Sequence, residues 1–414
     1  MIAVTEIADE IADETSPRAA SSGRDGSPRI LVVRNRFIGD TVLAIPFLRN
    51  LRRHFPDAVI DVLVDRGSGE VLADCPYKDE LITWHRPAAE RGLMPRAIAN
   101  ILATARWLRS RRYDRAYVLK RSFSSALVCA LARIPHRVGF ASEGRGLLFS
   151  RAVRIDETRH EAELFLDLLR ADGIEVDDGH NENWVAAEAV RSVARSLPEK
   201  HGPRVFVAPC STNPSKQWPL DRFASAIAAI VQARDADIFL CGGPADRRTH
   251  ATLLAMVGPK VAGRIHDFSD AFGLRETAAL LSRMDLCVGI DTGLVHLAAS
   301  FGVPVVAIFG PMDPSRWGPW KTPHALVRAS RSCSPCNLRV PCPINDVCMR
   351  DIDIRDVVAA VDGLLTSRGG LPDAADVRSI DLTQGERVYE ITFSPPAKDA
   401  VADEPATKPL AQAH

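Results

Sequence analysis

The chain has 414 residues, 46% of them hydrophobic and 25% charged, which is the composition of an ordinary globular protein long enough for two or three domains. Its 52 Lys and Arg residues balance its 52 Asp and Glu residues, which excludes a polyanion binder whose whole surface is basic. Nine cysteines in so long a chain exclude a small disulfide-rich scaffold. The acidic start, MIAVTEIADEIADET, is unlike a signal peptide, so we expect a cytoplasmic protein.

Both ends of the chain are predicted to be solvated acidic tails. Residues 1–28 carry six acidic side chains against two arginines, with a patch rich in Ser, Gly and Pro. Residues 369–414 are rich in Pro, Ala and Asp and are predicted to be mostly disordered, apart from one short strand over Arg387–Phe393. The folded part is therefore expected between residues 29 and 368.

Strands and helices alternate in the first half of this region. The predicted strands are Ile30–Arg34, Ile60–Val64, Ala116–Leu119 and Val138–Phe140. The predicted helices are Thr41–His54, Pro95–Arg109, Ser124–Ala132 and Glu161–Leu169. Strands separated by helices of this length indicate a parallel, doubly wound sheet.

The same alternation restarts in the second half. The predicted strands are Val205–Ala208, Ile238–Cys241, Leu286–Ile290 and Val303–Phe309. The predicted helices are Leu220–Val231, Arg248–Val257, Leu274–Ser282, Thr292–Ser300 and Ile354–Leu365. The sequence thus predicts an α/β protein with two Rossmann-like domains, residues 29–180 and 181–368. Ligands of such sheets bind beyond the carboxyl ends of the strands, here in a cleft between the domains.

The first candidate loop follows the strand Ile30–Arg34 and contains Gly39 and Asp40. Asp40 is predicted to sit at the N-cap of the helix that begins near Thr41, which is by itself a sufficient role for an aspartate. A carboxylate that faces the cleft also has the chemistry of a general base toward a substrate hydroxyl.

The second candidate loop, Ala208–Pro219, follows the first strand of the second half. Its backbone amides, the hydroxyls of Ser211 and Thr212 and the ammonium of Lys216 suit phosphate oxygens. It lacks the glycine pattern of a Walker loop, and GxGxxG is absent from the chain. A polar turn that caps the helix after Trp218 is the alternative interpretation.

The third candidate loop joins the strand Leu286–Ile290 to a helix. Asp291 ends the strand, and Thr292 and Gly293 expose amides at a helix N-terminus, where anions bind. His296 lies one turn further, so it faces either the same ligand or, like most helical histidines, the core. A fourth loop, Cys241–Asp246, also follows a strand and is expected to line the same pocket.

In chain order, these motifs resemble those of glycosyltransferase family 9, the family of bacterial ADP-heptose:lipopolysaccharide heptosyltransferases. The matching segments are Gly39-Asp40, Leu119–Leu127, Arg137–Phe140, Gly144-Arg145, His160, Ser211-Thr212, Lys216, Trp218-Pro219, Cys241–Gly243, Asp291–Gly293 and His296. They span about residues 29–367, and their order and spacing together carry the resemblance.

The resemblance implies a GT-B fold and an inverting sugar transfer that uses no metal and no other cofactor. It implies that Asp40 is the general base. It also implies contact between the nucleotide sugar and eight residues, namely Ser211, Thr212, Lys216, Asp246, Asp291, Thr292, Gly293 and His296. The chemistry agrees, because a departing diphosphate needs positive charge and helix-end amides, and the acceptor hydroxyl needs a base from the opposite domain.

The charge of the first domain indicates an anionic acceptor. Between Trp84 and Arg154 there are 15 Lys and Arg residues and three Asp and Glu residues, a net charge of +12. A phosphorylated or carboxylated acceptor or an anionic inner-membrane surface fits this excess, and a solvated arginine-rich face is the alternative. Arg121 and Arg145, which lie in family-matching segments, are predicted to bind the acceptor. No nucleic-acid partner is expected, because no aromatic platform or nucleic-acid motif accompanies the charge.

Two motifs raise the question of a metal. Cys333, Cys336, Cys342 and Cys348 are close enough in sequence for a zinc site, but they lack two CxxC pairs, so free or redox-active thiols are the favoured interpretation. Asp351-Ile352-Asp353 mimics a metal-binding DxD motif, but it precedes a predicted helix, so Asp353 is better explained as an N-cap. The sequence therefore predicts no metal site.

The leading hypothesis is a transferase that moves a heptose from ADP-heptose to an anionic glycolipid acceptor of the lipopolysaccharide inner core. One alternative is a transferase of the same fold that uses another nucleotide sugar or another glycan. A second alternative is an inactive relative that only binds nucleotide or carbohydrate. The joint presence of Asp40, Lys216, Asp291 and His296 disfavours the inactive alternative.

Overall fold

The computed structural model describes residues 26–34, 36–84, 94–142, 144–269, 271–366 and 389–394. These residues form two β-sheets. The strands are β1 (Arg29–Val33), β2 (Val59–Val64), β3 (Glu80–Thr83), β4 (Arg115–Val118), β5 (His136–Phe140), β6 (Arg151–Val153), β7 (Arg204–Ala208), β8 (Asp237–Leu240), β9 (Ile265–Asp267), β10 (Leu286–Ile290), β11 (Val305–Phe309), β12 (His324–Ala329) and β13 (Tyr389–Ser394).

Helices connect most of these strands. They are α1 (Ile38–Val42), α2 (Ile45–His54), α3 (Arg66–Gly69), α4 (Met94–Ser110), α5 (Phe123–Leu131), α6 (Glu161–Ala171), α7 (Ala187–Ser196), α8 (Leu220–Arg234), α9 (Arg247–Met256), α10 (Pro259–Ala262), α11 (Leu274–Leu281), α12 (Gly293–Ser300), α13 (Pro314–Trp317), α14 (Val347–Arg350) and α15 (Ile354–Thr366). Short 3₁₀ turns cover Glu70–Leu72, Arg145–Leu148 and Pro214–Lys216.

The first sheet has six parallel strands in the order β3-β2-β1-β4-β5-β6. The second has seven in the order β13-β12-β11-β10-β7-β8-β9, parallel except that β13 runs antiparallel to β12. This arrangement confirms the predicted parallel, doubly wound α/β architecture. The short strand predicted over Arg387–Phe393 is confirmed as β13, whereas the rest of the two predicted tails lies outside the described residues, apart from residues 26–28.

The structure contains strands that periodicity did not predict, namely β3, β6, β9 and β12. The first three are only three or four residues long and lie at sheet edges, where a strand needs no long apolar run. Helix α7, which packs against α11, lies just after the predicted domain boundary at residue 180. The predicted domain boundaries stay predictions.

The single helix predicted over Thr41–His54 is wrong, because the structure has α1 and α2 there. Pro46 lies in the first turn of α2, where its missing N–H costs nothing, but inside one continuous helix it would break the hydrogen-bond ladder. The predicted N-cap role of Asp40 is also wrong, because the first helix begins at Ile38, three residues earlier than predicted. The N-cap of α1 is Phe37, and Asp40 lies in the helix's first turn.

The apolar core links the two sheets. One cluster of buried residues contains Ile30 of β1, Phe165 of α6, Phe206 of β7 and Val295 of α12. Such burial holds the sheets together and keeps their strand-end loops close to one another. No helix in the described part of the chain is both long and apolar enough to cross a lipid bilayer.

Candidate functional site

The loops after β1 and β10 meet where the two domains touch. A Cβ atom on Gly39 of α1 would lie 2.7 Å from Cδ2 of His296 and 3.5 Å from Cα of Gly293. A Cβ atom on Gly293 of α12 would lie 2.8 Å from Cβ of Ile38. Neither position has room for a side chain, so both glycines are required for this close approach. The contact places the segment that carries Asp40 against the segment that carries His296.

Asp40 forms an ion pair with a buried arginine. The guanidinium of Arg34, at the end of β1, pairs with the carboxylate of Asp40, and its Nε donates to the backbone carbonyl of Asp40 at 3.3 Å. The side chain of Arg34 is only 2% exposed, whereas that of Asp40 is 17% exposed. Burial lowers the pKa of Arg34 to about 10, so it stays charged at neutral pH. The ion pair therefore orients the carboxylate.

Three predicted nucleotide-binding residues are joined by direct contacts. Nζ of Lys216 lies 2.6 Å from Oδ2 of Asp291, and Nε2 of His296 lies 3.9 Å from Oδ1 of the same carboxylate. Burial raises the pKa of Asp291, but the neighbouring His296 and the ammonium of Lys216 outweigh burial, so the pKa of Asp291 is lowered. The carboxylate is therefore ionised at neutral pH.

His296 has an unused polar atom. The residue is 5% exposed, and its Nδ1 has no hydrogen-bond partner among the residues that the structure describes. Leaving a buried polar atom without a partner is costly, so Nδ1 of His296 is a candidate hydrogen-bonding atom for a ligand. With Thr292 as N-cap and Gly293 as first residue, α12 adds free backbone amides to the same place.

The other predicted nucleotide-binding residues lie in neighbouring strand-end loops. Ser211 is half-buried and its Oγ accepts a hydrogen bond from the amide of Asn213, while Thr212 is exposed. Asp246 accepts from the amide of Gly243 at 3.0 Å. Burial and the neighbouring Asp246 raise the pKa of Cys210 to about 12, so the loops after β7 and β8 lie next to each other.

The two predicted acceptor-binding arginines already have partners. Arg121 pairs with the buried carboxylate of Glu161. Arg145 is 5% exposed and donates to Oγ of Ser142. Their contact with an acceptor stays a prediction.

Lys120 is a cleft residue that the predicted site omitted. Burial and the positive charges of Arg34, Arg36 and Arg121 together lower its pKa to about 8. Its Nζ lies 5.1 Å from the ring centroid of Phe37, in the loop that precedes Asp40. The available signal was its position two residues after β4, at the carboxyl edge of the sheet. Lys120 therefore brings a half-buried positive charge to the loop of Asp40.

A second contact between the domains surrounds the start of α6. Glu161, 2% exposed, accepts from Arg121 of the first domain and, at 3.3 Å, from Arg316 of α13. The ring of His160 stacks on Trp320 with centroids 4.3 Å apart, and its Nε2 lies 3.0 Å from the carbonyl oxygen of Gly318. These contacts fix the two domains beside the candidate site.

The contacts of His160 predict a pH dependence of stability. Its Nδ1 accepts from the amide of Ala162, so Nε2 donates to Gly318 and the ring is neutral. Burial lowers the pKa of His160 to about 3, and His296 and His324 act in the same direction. An unfolded histidine titrates near pH 6.5, so between about pH 6.5 and 3 only the unfolded chain gains this proton and the free energy of unfolding falls. Denaturant unfolding at pH 7 and pH 5 is expected to show a smaller loss for His160→Gln than for the wild type, and equal losses would contradict this assignment.

The two metal-like motifs differ in outcome. The predicted N-cap role of Asp353 is confirmed, because its Oδ1 accepts from the amide of Arg355 at 2.9 Å. The four clustered cysteines are free thiols, with Cys333 exposed and Cys348 buried. Within the described ranges, no three His, Cys, Asp or Glu side chains converge as metal ligands.

Comparison with known proteins matches this geometry to one family. The sequence model of glycosyltransferase family 9 (heptosyltransferase) matches residues 101–345, which is more than half of the chain. Lipopolysaccharide heptosyltransferase 2 of Salmonella typhimurium is 26% identical over 311 residues, which cover 72% of this chain and 88% of that protein. Lipopolysaccharide heptosyltransferase 3 of Escherichia coli K12 is 26% identical over 344 residues, covering 80% and 96%.

The fold is shared with a solved structure. The ADP-heptose LPS heptosyltransferase II of E. coli superposes with a TM-score of 0.69 at 23% identity, covering 83% of this chain and all of that one. This similarity confirms the predicted GT-B fold. The chain belongs to glycosyltransferase family 9 and is a glycosyltransferase.

Proposed function

We propose that the protein transfers a heptose from ADP-heptose to an anionic acceptor of the lipopolysaccharide inner core, with inversion and without a metal. The names of its relatives support the sugar and the acceptor. The observation that carries the proposal is the contact of Ile38 and Gly39 with Gly293 and His296, because it brings the helix that carries Asp40 in one domain against a diphosphate-type site of the other.

In the proposed step, the carboxylate of Asp40 takes the proton of the acceptor hydroxyl. The acceptor oxygen attacks the anomeric carbon from the face opposite the diphosphate and forms the new C–O bond. The bond between that carbon and the diphosphate oxygen breaks, and its electron pair leaves with ADP. Arg34 holds Asp40 in place for this proton transfer.

The departing diphosphate is stabilised by the chain's own groups. Lys216 supplies a full positive charge, the start of α12 supplies amides, and Nδ1 of His296 supplies a hydrogen-bonding atom. Preorganised groups of this kind stabilise the negative charge that develops on a leaving group. These groups do what a divalent cation does in metal-dependent sugar transferases, so we propose that this protein requires no divalent cation.

The acceptor side is proposed to bind an anion through Lys120 and Arg36. Arg36 is exposed and lies four residues before Asp40, and Lys120 is half-buried beside the same loop. A phosphate or carboxylate of the acceptor here would relieve the repulsion between these cations and bring the neighbouring hydroxyl to Asp40.

Replacing Lys120 with methionine is therefore expected to raise the acceptor KM about tenfold, because one charge-assisted contact is lost. The affinity for ADP, measured by calorimetry, is expected to stay within about twofold of the wild type. Lys321→Met is the matched control, because Lys321 also lies over an aromatic ring, with Nζ 5.5 Å from the centroid of Trp320, but belongs to the second domain. An unchanged acceptor KM in a folded Lys120→Met variant would remove Lys120 from acceptor recognition.

The proposed function is tested by a donor panel. ADP-heptose is expected to raise the thermal midpoint more than ADP-glucose, UDP-glucose or GDP-mannose, and to be consumed only when an inner-core acceptor is added. Turnover is expected to be equal with and without EDTA. Consumption of a different nucleotide sugar would show that the proposed donor, ADP-heptose, is wrong. Loss of activity in EDTA that magnesium or manganese restores would overturn the metal-independent mechanism.

A further inference from the structure

The first domain exposes a group of large apolar side chains. Among the described residues, nine large apolar side chains are exposed, and five of them lie on α4, α5 and the 3₁₀ turn Arg145–Leu148. They are Ile98, Leu102, Phe123, Leu131 and Leu147. Helix α5 packs against both α4 and the turn, so the five belong to one region of the surface.

The exposed positions follow helical spacing. On α4, Ile98, Leu102 and Arg106 succeed one another every fourth residue, and Arg109 follows one turn later. On α5, Phe123 and Leu131 lie eight residues apart on one stripe, and on the turn Leu147 is 94% exposed. Spacing by four residues places side chains on one face of a helix. The exposed stripes are therefore continuous surfaces and not scattered single residues.

The charge of this region has one sign. Helices α4 and α5 and the turn Arg145–Leu148 contain no Asp or Glu. Arg106 and Arg109 are exposed on α4, and Arg133 is exposed just after α5. We call the five apolar residues together with Arg106, Arg109 and Arg133 the apolar–basic face. Apolar side chains flanked by arginines complement an anionic lipid surface.

The apolar–basic face reaches the cleft. Helix α5 begins five residues after β4, and the turn begins five residues after β5, so Phe123 and Leu147 lie toward the carboxyl edge of the first sheet. Helix α1, which carries Asp40, follows β1 at that same edge. On α4, the apolar residues precede the arginines, so the apolar end is the one nearer the cleft.

We propose that the apolar–basic face docks the protein on an anionic lipid bilayer, with Leu147, Ile98 and Leu102 entering the headgroup region and the arginines contacting lipid phosphates. The docking proposal rests on the proposed function only in the reason for docking, which is to bring the cleft to an acceptor embedded in the bilayer. Charge complementarity favours the bilayer over a second copy of the chain, because two such faces would repel each other.

The test uses the full chain and vesicles of equimolar phosphatidylglycerol and phosphatidylcholine, with pure phosphatidylcholine for comparison. The wild type is expected to co-sediment with the anionic vesicles and to be released by salt. The triple variant Ile98→Ser, Leu102→Ser, Leu147→Ser is expected to partition at least about tenfold more weakly. The double variant Met256→Ser, Ile344→Ser is the matched control, because it removes exposed apolar side chains from the second domain.

Calorimetry with ADP keeps the two proposals separate. An unchanged thermal midpoint together with wild-type ADP affinity shows that the triple variant is folded. If the triple variant unfolds, Leu147→Ser alone replaces it and is expected to bind the anionic vesicles several-fold more weakly. Absence of vesicle binding by the wild type, or equal binding by the variants, would overturn the docking proposal and leave the transferase proposal standing. If the wild type is a dimer that does not bind vesicles, and the triple variant is a monomer, the apolar–basic face would instead be an interface with a second copy of the chain.

Discussion

The Asp40→Asn variant is expected to turn over acceptor and ADP-heptose about 10²–10⁴-fold more slowly than the wild type, which is the usual contribution of a general base. Asparagine keeps the shape of aspartate, and its amide oxygen can still accept from Arg34, but it cannot take a proton. The second domain is untouched by the substitution, and it carries Lys216 and His296. The affinity for ADP is therefore expected to change less than about threefold.

The measurement is the rate of ADP release at saturating substrates, alongside ADP titration by calorimetry. The substitution also leaves the buried guanidinium of Arg34 without its counter-charge, so the thermal midpoint must be compared. Asp65→Asn is the matched control, because Asp65 also lies within electrostatic reach of Arg34, follows a strand of the same sheet and caps α3. Near wild-type turnover in Asp40→Asn would remove Asp40 from the mechanism.

The sequence was sufficient for the parts of the fold that rest on long apolar runs. The central strands β1, β10 and β11 are buried on both faces, so their sequences, such as ILVV and VVAIF, contrast clearly with the amphipathic helices beside them. The edge strands were missed because three or four partly exposed residues leave no periodic signal. The division into α1 and α2 was missed because the apolar period continues through Pro46, and only the backbone chemistry of proline marks the break.

In the candidate site, the sequence predicts which segments come together but not which side chains pair. Strand-end position was enough to predict that Asp40, Lys216, Asp291 and His296 lie in the segments that follow β1, β7 and β10. It could not predict that Arg34 pairs with Asp40 or that Glu161 pairs with Arg121, because those partners come from positions with no motif of their own. Partners 40 residues apart in sequence, such as Arg121 and Glu161, are joined only by tertiary packing. Local charge therefore identified a basic domain but not which of its cations remain available to a ligand.

Replacing Lys216 with methionine is expected to weaken ADP binding about a hundredfold, because it removes one member of a partly buried, hydrogen-bonded charge pair. Methionine keeps most of the length of the lysine stem but removes the ammonium. The side chain of Asp291 is 10% exposed and its ionised carboxylate would then face the diphosphate without compensation. Adenosine, which lacks the phosphates, is expected to bind within about threefold of its wild-type affinity. Equal losses for ADP and adenosine would mean that Lys216 does not contact the phosphates.

The loss of ADP affinity has two separable sources, because Lys216 also neutralises Asp291. The double variant Lys216→Met, Asp291→Asn removes the repulsive carboxylate as well as the ammonium. If Lys216 acts only through Asp291, the double variant regains wild-type ADP affinity; if Lys216 contacts the diphosphate directly, ADP binding stays at least about tenfold weak. Lys200→Met is the matched control, because Lys200 also pairs with an aspartate of the second domain, with Nζ 2.8 Å from Oδ2 of Asp285, yet it lies before β7 and therefore at the opposite edge of the sheet from the cleft loops. We expect this control to bind ADP as the wild type does, because only a cation at the carboxyl ends of β7 and β10 lies within reach of the departing diphosphate.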